Sequence, residues 1–237
     1  MNKYNLEILK NAAQLAERAN EIIITYLKKI INQQSKANIA FSGGRTPSKT
    51  YSLLSKENID WEFVNLFLVD ERWVSPKDEL SNSRMVRETL LSTYPGNKVN
   101  FFDVPTVTLK DPTSSAKAYS EIIKNSCASE NPSLDLIVLG IGDDGHTASL
   151  FPYSDSLHDN KSSVTIGKGK GIERITFTSQ FINLAKKVIF LVNGEDKHQA
   201  LKRLLDPKES PIRTPAKLIN PKGEILILAD DSAARDL

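Results

Sequence analysis

Apolar residues fall along this chain in two patterns, short unbroken runs that end in glycine or charge and longer stretches of helical spacing. Leu6, Leu9, Ala13, Ala16, Ile23, Leu27 and Ile30 recur three, four or seven positions apart, which predicts an amphipathic helix over roughly 6–31 packed on a sheet. Its polar face mixes both signs of charge, unlike a membrane-surface helix. The runs 38–41, 63–69, 134–139, 174–178, 188–192 and 224–229 are rich in branched residues and too short for helices, so they predict strands, the run before residue 140 a buried parallel one. Pro112 opens a helix over 112–127, and 80–91 is a polar loop turning into another. Residues 99–109, with Pro105, form a connector of undecided structure, and a short helical tail follows the last strand. The stretch HDNKSSVTIGKGKG, 158–171, predicts a mobile loop containing a short strand, with Lys161, Lys168 and Lys170 in solvent. Strands alternating with helices imply an α/β fold, and with no repeat or long linker the expectation is one domain over 1–237.

Composition narrows the function more than the fold. The 237 residues are 40% hydrophobic and 25% charged, enough for a full core. A formal charge of +2, from 31 basic against 29 acidic residues, leaves no nucleic-acid or membrane footprint, so an anionic partner must be recognised locally. Cys127 alone forms no internal disulfide and is read as inert, and one cysteine with the dispersed His146, His158 and His198 assembles no metal cluster. The beginning MNKYNLEILKNAAQ has no signal-peptide block, and no stretch nears the roughly 20 apolar residues of a membrane span. A cytoplasmic enzyme is the expectation.

The chemistry-bearing residues sit where strands end, the edge at which open α/β sheets bind ligands. In LDLIVLGIGDDGHTASLFP, 134–152, an apolar run delivers His146 onto a glycine-rich loop. Asp144, two residues earlier, is close enough to orient the imidazole, and histidine can take a proton near neutral pH. A plain turn with capping aspartates is the bland alternative. After the run 38–41 come Ser42, Gly43, Gly44, Arg45, Thr46 and Pro47, with Thr46 as N-cap and Pro47 at the first position of a helix through Leu54. Free amides at that helix start would suit a phosphate, although the stretch matches neither nucleotide-binding fingerprint. The run 63–69 ends in Asp70, Glu71, Arg72 and Trp73, and Arg72 would suit a carboxylate, a phosphate or an oxyanion. Arg174 opens one later strand. Lys197 lies in the first turn of a helix carrying Ala200, Leu201 and Leu204, where a nearby anion would explain a cation set against the helix dipole.

FSGGRTP, LVDERWV followed by Ser81 and Asn82, LGIGDDGHTASLFP, ERITFT and FLVNGEDK come in an order and spacing that resemble the 6-phosphogluconolactonase family over about 37–229. The resemblance implies a Rossmann-like, mainly parallel sheet flanked by helices, as in glucosamine-6-phosphate deaminases and ribose-5-phosphate isomerases. It implies hydrolysis of 6-phospho-D-glucono-1,5-lactone, with the phosphosugar lactone as small-molecule partner, no metal or organic cofactor, and a monomer. His146 then resembles the general base, with Asp144 holding it, and Arg72 the active-site arginine. Ser42, Gly43, Gly44, Arg45, Asp70, Arg174 and Lys197 form the substrate- and phosphate-binding set. One rival is a deaminase using Asp70 to move a proton, but those enzymes typically carry DEY and GHIAFNEP where this chain has DERW and GHTASLFP. The other is a non-catalytic phosphosugar-binding domain, against which His146 and Asp144 argue.

Overall fold

The computed structural model describes residues 4–237; Met1, Asn2 and Lys3, part of the beginning read above as lacking a signal-peptide block, lie outside them. Among the described residues the strands are β1 (Asn5–Leu9), β2 (Ala37–Phe41), β3 (Val64–Leu68), β4 (Asp70–Arg72), β5 (Asn100–Phe102), β6 (Leu136–Gly140), β7 (Val164–Gly169), β8 (Ile172–Phe177), β9 (Lys187–Val192) and β10 (Glu224–Asp230). The helices are α1 (Ala12–Gln34), α2 (Arg45–Leu54), α3 (Asn82–Thr89), α4 (Pro112–Cys127), α5 (Ser179–Ile182) and α6 (His198–Leu205).

Strands β1, β10, β9, β6, β2, β3 and β5 pair in that order into one sheet, and every pair is parallel. Ile39, Phe41, Leu66, Phe67, Ile137, Val138, Ile189, Phe190 and Ile227 are all fully buried. Consecutive buried positions mean that both faces of the sheet are covered, which is why these runs are continuous rather than alternating. From the β2–β6 pair the chain proceeds outward in opposite directions, to β3 and β5 on one side and to β9 and β10 on the other. The loops leaving β2 and β6 therefore diverge, and a crevice opens between them at the carboxyl edge, the position where doubly wound sheets take ligands.

A second sheet, β4–β8–β7, is antiparallel and packs on α4. Strand β4 follows β3 after Val69, so the chain passes from one sheet to the other at the crevice. The register sets Asp70 opposite Thr176 and Arg72 opposite Arg174.

Four expectations are corrected. The helix expected over 6–31 is two elements: β1 pairs with β10, and α1 begins only after Asn11, whose side chain accepts the Ala13 and Gln14 N–H groups at 3.0 Å. The N-cap of α2 is Gly44, not Thr46; its φ of 111° belongs to glycine, and Arg45, Thr46 and Pro47 form the first turn. The expected mobile loop at 158–171 contains all of β7, fixed by pairing to β8 from Val164 opposite Phe177 to Gly169 opposite Ile172. The tail after β10 is a series of turns rather than a helix.

Candidate active site

Strand β6 ends at Gly140, and the chain turns through Gly142 and Gly145 back to His146 without entering a helix. The Gly142 N–H donates to the His146 carbonyl at 2.8 Å, the Gly145 N–H to the Gly142 carbonyl at 2.9 Å, and the Thr147 hydroxyl to the Gly140 carbonyl at 2.8 Å. The imidazole folds over Gly142, where any Cβ would overlap it. From outside, the Ala216 N–H donates to the Gly145 carbonyl and Arg203 to the Asp143 carbonyl, each at 3.1 Å. Within this loop one oxygen of Asp144 accepts both the His146 backbone N–H, at 2.9 Å, and the ring Nδ1–H, at 2.6 Å. That pairing assigns the ring proton to Nδ1 and leaves Nε2 as the basic nitrogen. Burial pushes the Asp144 carboxyl up, but the His146 hydrogen bonds and nearby positive charge outweigh it and hold the group at about 2. The Phe151 ring lies 4.5 Å from the imidazole.

Next along the cleft are two arginines that the β4–β8 register sets face to face. Arg72 donates through Nη1 to the Leu80 carbonyl at 2.5 Å and to Asn82 Oδ1 at 2.9 Å. Arg174 is 8% exposed, 4.0 Å from Asp70 and stacked over Phe151 at 5.2 Å. Burial pushes its guanidinium below the usual range, Asp70 opposes the fall and Arg72 adds to it. Both arginines keep a buried Nε–H with no partner among the described residues. Opposed cations with unused donors are unfavourable unless an anion completes them. Asp70 is already engaged, for the Ser149 hydroxyl donates to it at 2.5 Å and the Asn82 amide at 3.3 Å. Glu71, 2% exposed, accepts from the Arg72, Asn82 and Ser83 N–H groups and the Ser81 hydroxyl; burial nonetheless pushes its carboxyl up. This clamp fixes the start of α3 and stands Asn82 over Gly43, where a Cβ would overlap the Asn82 amide.

At the far end of the cleft the groups are backbone and cation. Ser42, Gly43 and Gly44 leave β2 and enter α2, a helix start whose cap residue has no side chain to satisfy its amides. Ser42 Oγ is buried without a partner among the described residues. After β9, Gly194 at φ 102° donates its N–H to Asp230 at 3.0 Å and turns the chain towards Lys197. Lys197 pairs with Asp196 at 2.9 Å, so the anion expected beside it is in part its own neighbour; Asp196 is held below the usual carboxylate range by Lys197 first and by Arg45 as well. Lys197 ends the short turn before α6 rather than lying inside the helix.

One cleft of about 540 Å³ brings together all ten residues singled out from the sequence except Asp144, which stands behind His146. His198 points away to the Ala233 carbonyl at 3.2 Å, and burial pushes the Cys127 thiol up to about 11, as befits an inert residue. Asn82 and Lys170 line the cleft although sequence reasoning did not choose them. The Ser81–Asn82 pair after DERW carried a signal for the first; nothing in the alternation of 164–171 carried one for Lys170. Among the described residues no group of three or more His, Cys, Asp or Glu could hold a metal ion, and no helix is long and apolar enough to cross a membrane.

The family described as glucosamine-6-phosphate isomerases/6-phosphogluconolactonase matches residues 10–228. A 6-phosphogluconolactonase of Nostoc sp. is 38% identical over 99% of both chains. The crystal structure of a 6-phosphogluconolactonase from Shewanella baltica is 28% identical and superposes with a TM-score of 0.86, covering 96% of this chain and 97% of that one. A monomeric glucosamine-6-phosphate deaminase, 19% identical with a TM-score of 0.79 over 97% of this chain and 98% of that one, shares the fold.

Proposed function

Because the chain belongs to the glucosamine-6-phosphate isomerase and 6-phosphogluconolactonase family, we propose that it hydrolyses 6-phospho-D-glucono-1,5-lactone to 6-phospho-D-gluconate, the second step of the oxidative pentose phosphate pathway. The observation that carries this reading is an imidazole oriented by a carboxylate in one cleft with an uncapped helix start and five cationic side chains, Arg45, Arg72, Lys170, Arg174 and Lys197. A lactone is an activated ester, so a base and an anion cradle suffice.

His146 Nε2 takes a proton from water as the oxygen attacks C1, and Asp144 stabilises the imidazolium that forms. The carbonyl oxygen becomes an oxyanion, and Arg72 and Arg174, which line the same cleft as His146, supply positive charge to stabilise it. Its collapse breaks the bond to the ring oxygen, which leaves with the proton returned by His146. The phosphate, remote from C1, lies against the Ser42–Gly44 turn, Arg45 and Lys197 and supplies binding energy that positions the reacting carbon. The protein acts as a cytoplasmic monomer. The deaminase alternative needs an available carboxylate at Asp70, and the bonds from Ser149 and Asn82 weigh against it.

The test supplies freshly generated lactone and follows 6-phosphogluconate above spontaneous hydrolysis, with ammonia release from glucosamine 6-phosphate measured in parallel. Lactone turnover without ammonia supports the reading; ammonia release without lactone turnover overturns it.

A further inference from the structure

The β7–β8 hairpin reaches the cleft through its turn. Gly169 and Ile172 form the last pair of the two strands, so Lys170 and Gly171 alone make the connection, with φ of 54° and 78°. Two positive φ values are what a two-residue hairpin turn of matching twist requires, and glycine is at home there whereas lysine is not. The turn is held in place: Gly169 packs on the Phe151 ring, against which a Cβ would collide, and Phe151 in turn contacts His146 and Arg174. In this position Lys170 lines the cleft, while its neighbour Lys168 does not. Its charge is felt at Asp144, the partner of His146, whereas Asp196 at the far end feels Lys197 and Arg45 instead. The cleft thus has a cation at its base end that is separate from those at its phosphate end.

We propose that Lys170 is a substrate-binding residue that contacts the negative charge formed at the reacting carbon, the oxyanion of the intermediate and the carboxylate of the product. The proposal rests on the lactonase reading for the identity of the ligand. Lys170 is exposed at the rim of the cleft, and the packing of Gly169 on Phe151 fixes the turn that carries it there. A flexible ammonium at the rim can follow C1 as it changes from planar ester to tetrahedral intermediate to carboxylate, adding to the fixed charge of the arginines.

Two ligands with the same phosphate separate the ends of the cleft. 6-Phosphogluconate carries a carboxylate at the reacting carbon, and glucose 6-phosphate carries none. Titration calorimetry of Lys170→Met should show 6-phosphogluconate weakened about tenfold, the size of one charge-assisted hydrogen bond, with glucose 6-phosphate unchanged. Lys170→Arg should restore most of the loss, and Lys168→Met should bind both ligands as the unaltered protein does. Equal weakening of the two ligands, or no weakening of either, overturns the proposal. These measurements need no turnover, so absence of lactonase activity would defeat the functional reading while the ligand difference still decides the role of Lys170.

Discussion

At the β6 end of the cleft one side chain is held by another: Asp144 accepts both N–H groups of His146 from inside a six-residue glycine-bearing loop that Ala216 and Arg203 grip from outside. At the β2 end a helix start without a side-chain cap lines the cleft, with the charges of Arg45 and Lys197 beside it. The difference follows from what each end must do. Proton transfer depends on orientation within tenths of an ångström, so the base is fixed by short local hydrogen bonds and by glycines that let the ring fold over the backbone. Phosphate binding depends on summed charge and amide dipoles, which tolerate the loss of one contributor. Damage should therefore be abrupt at one end and graded at the other.

The largest effect is expected at the first end. His146→Ala should lower kcat by about 10²–10⁴-fold while leaving glucose 6-phosphate binding intact. Steady-state kinetics with calorimetry checks this, and loss of both together would erase the distinction between the ends. Lys197→Ala should do the reverse, raising KM about tenfold with kcat nearly unchanged, since one of several contacts to a remote phosphate is removed. A fall confined to kcat would place Lys197 with the chemistry. The smallest effect is on stability. The Asp144 carboxyl sits at about 2 in the folded protein against 3.8 for the free group, so its contribution is present above the free value and is lost as pH falls towards 2. Urea midpoints of Asp144→Asn and the unaltered protein should thus differ by their full amount near pH 6, draw together as pH falls below about 4 and converge only near pH 2. A gap that widened on acidification would contradict the assigned pairing.

The sheet was legible wherever strands are buried on both faces, because such strands need unbroken apolar runs and these can be seen without knowing their partners. Strand β1 was not legible: Leu6 and Leu9 happen to fall in phase with the apolar face of α1, and what makes them a strand is β10, at the other end of the chain. Asn11 was the available correction, since its capping geometry marks where the helix starts. Strand β7 was hidden by its glycines and lysines, which look like a loop until they pair with β8. In the site, residues carried by loop signals were found: the glycines of both turns, and His146 with Asp144 two positions away. Asn82, Glu71 and Lys170 were overlooked as site residues because they enter through tertiary placement, a buried clamp at the start of α3 in the first two cases and a hairpin turn in the third.

The arrangement of the cleft is tested most directly by a crystal structure of the protein with 6-phosphogluconate bound. The account predicts the phosphate on the Gly43–Gly44 turn with Arg45 and Lys197, and the carboxylate within hydrogen-bond reach of His146 Nε2. A ligand bound in the opposite sense, with its phosphate against His146, would contradict it.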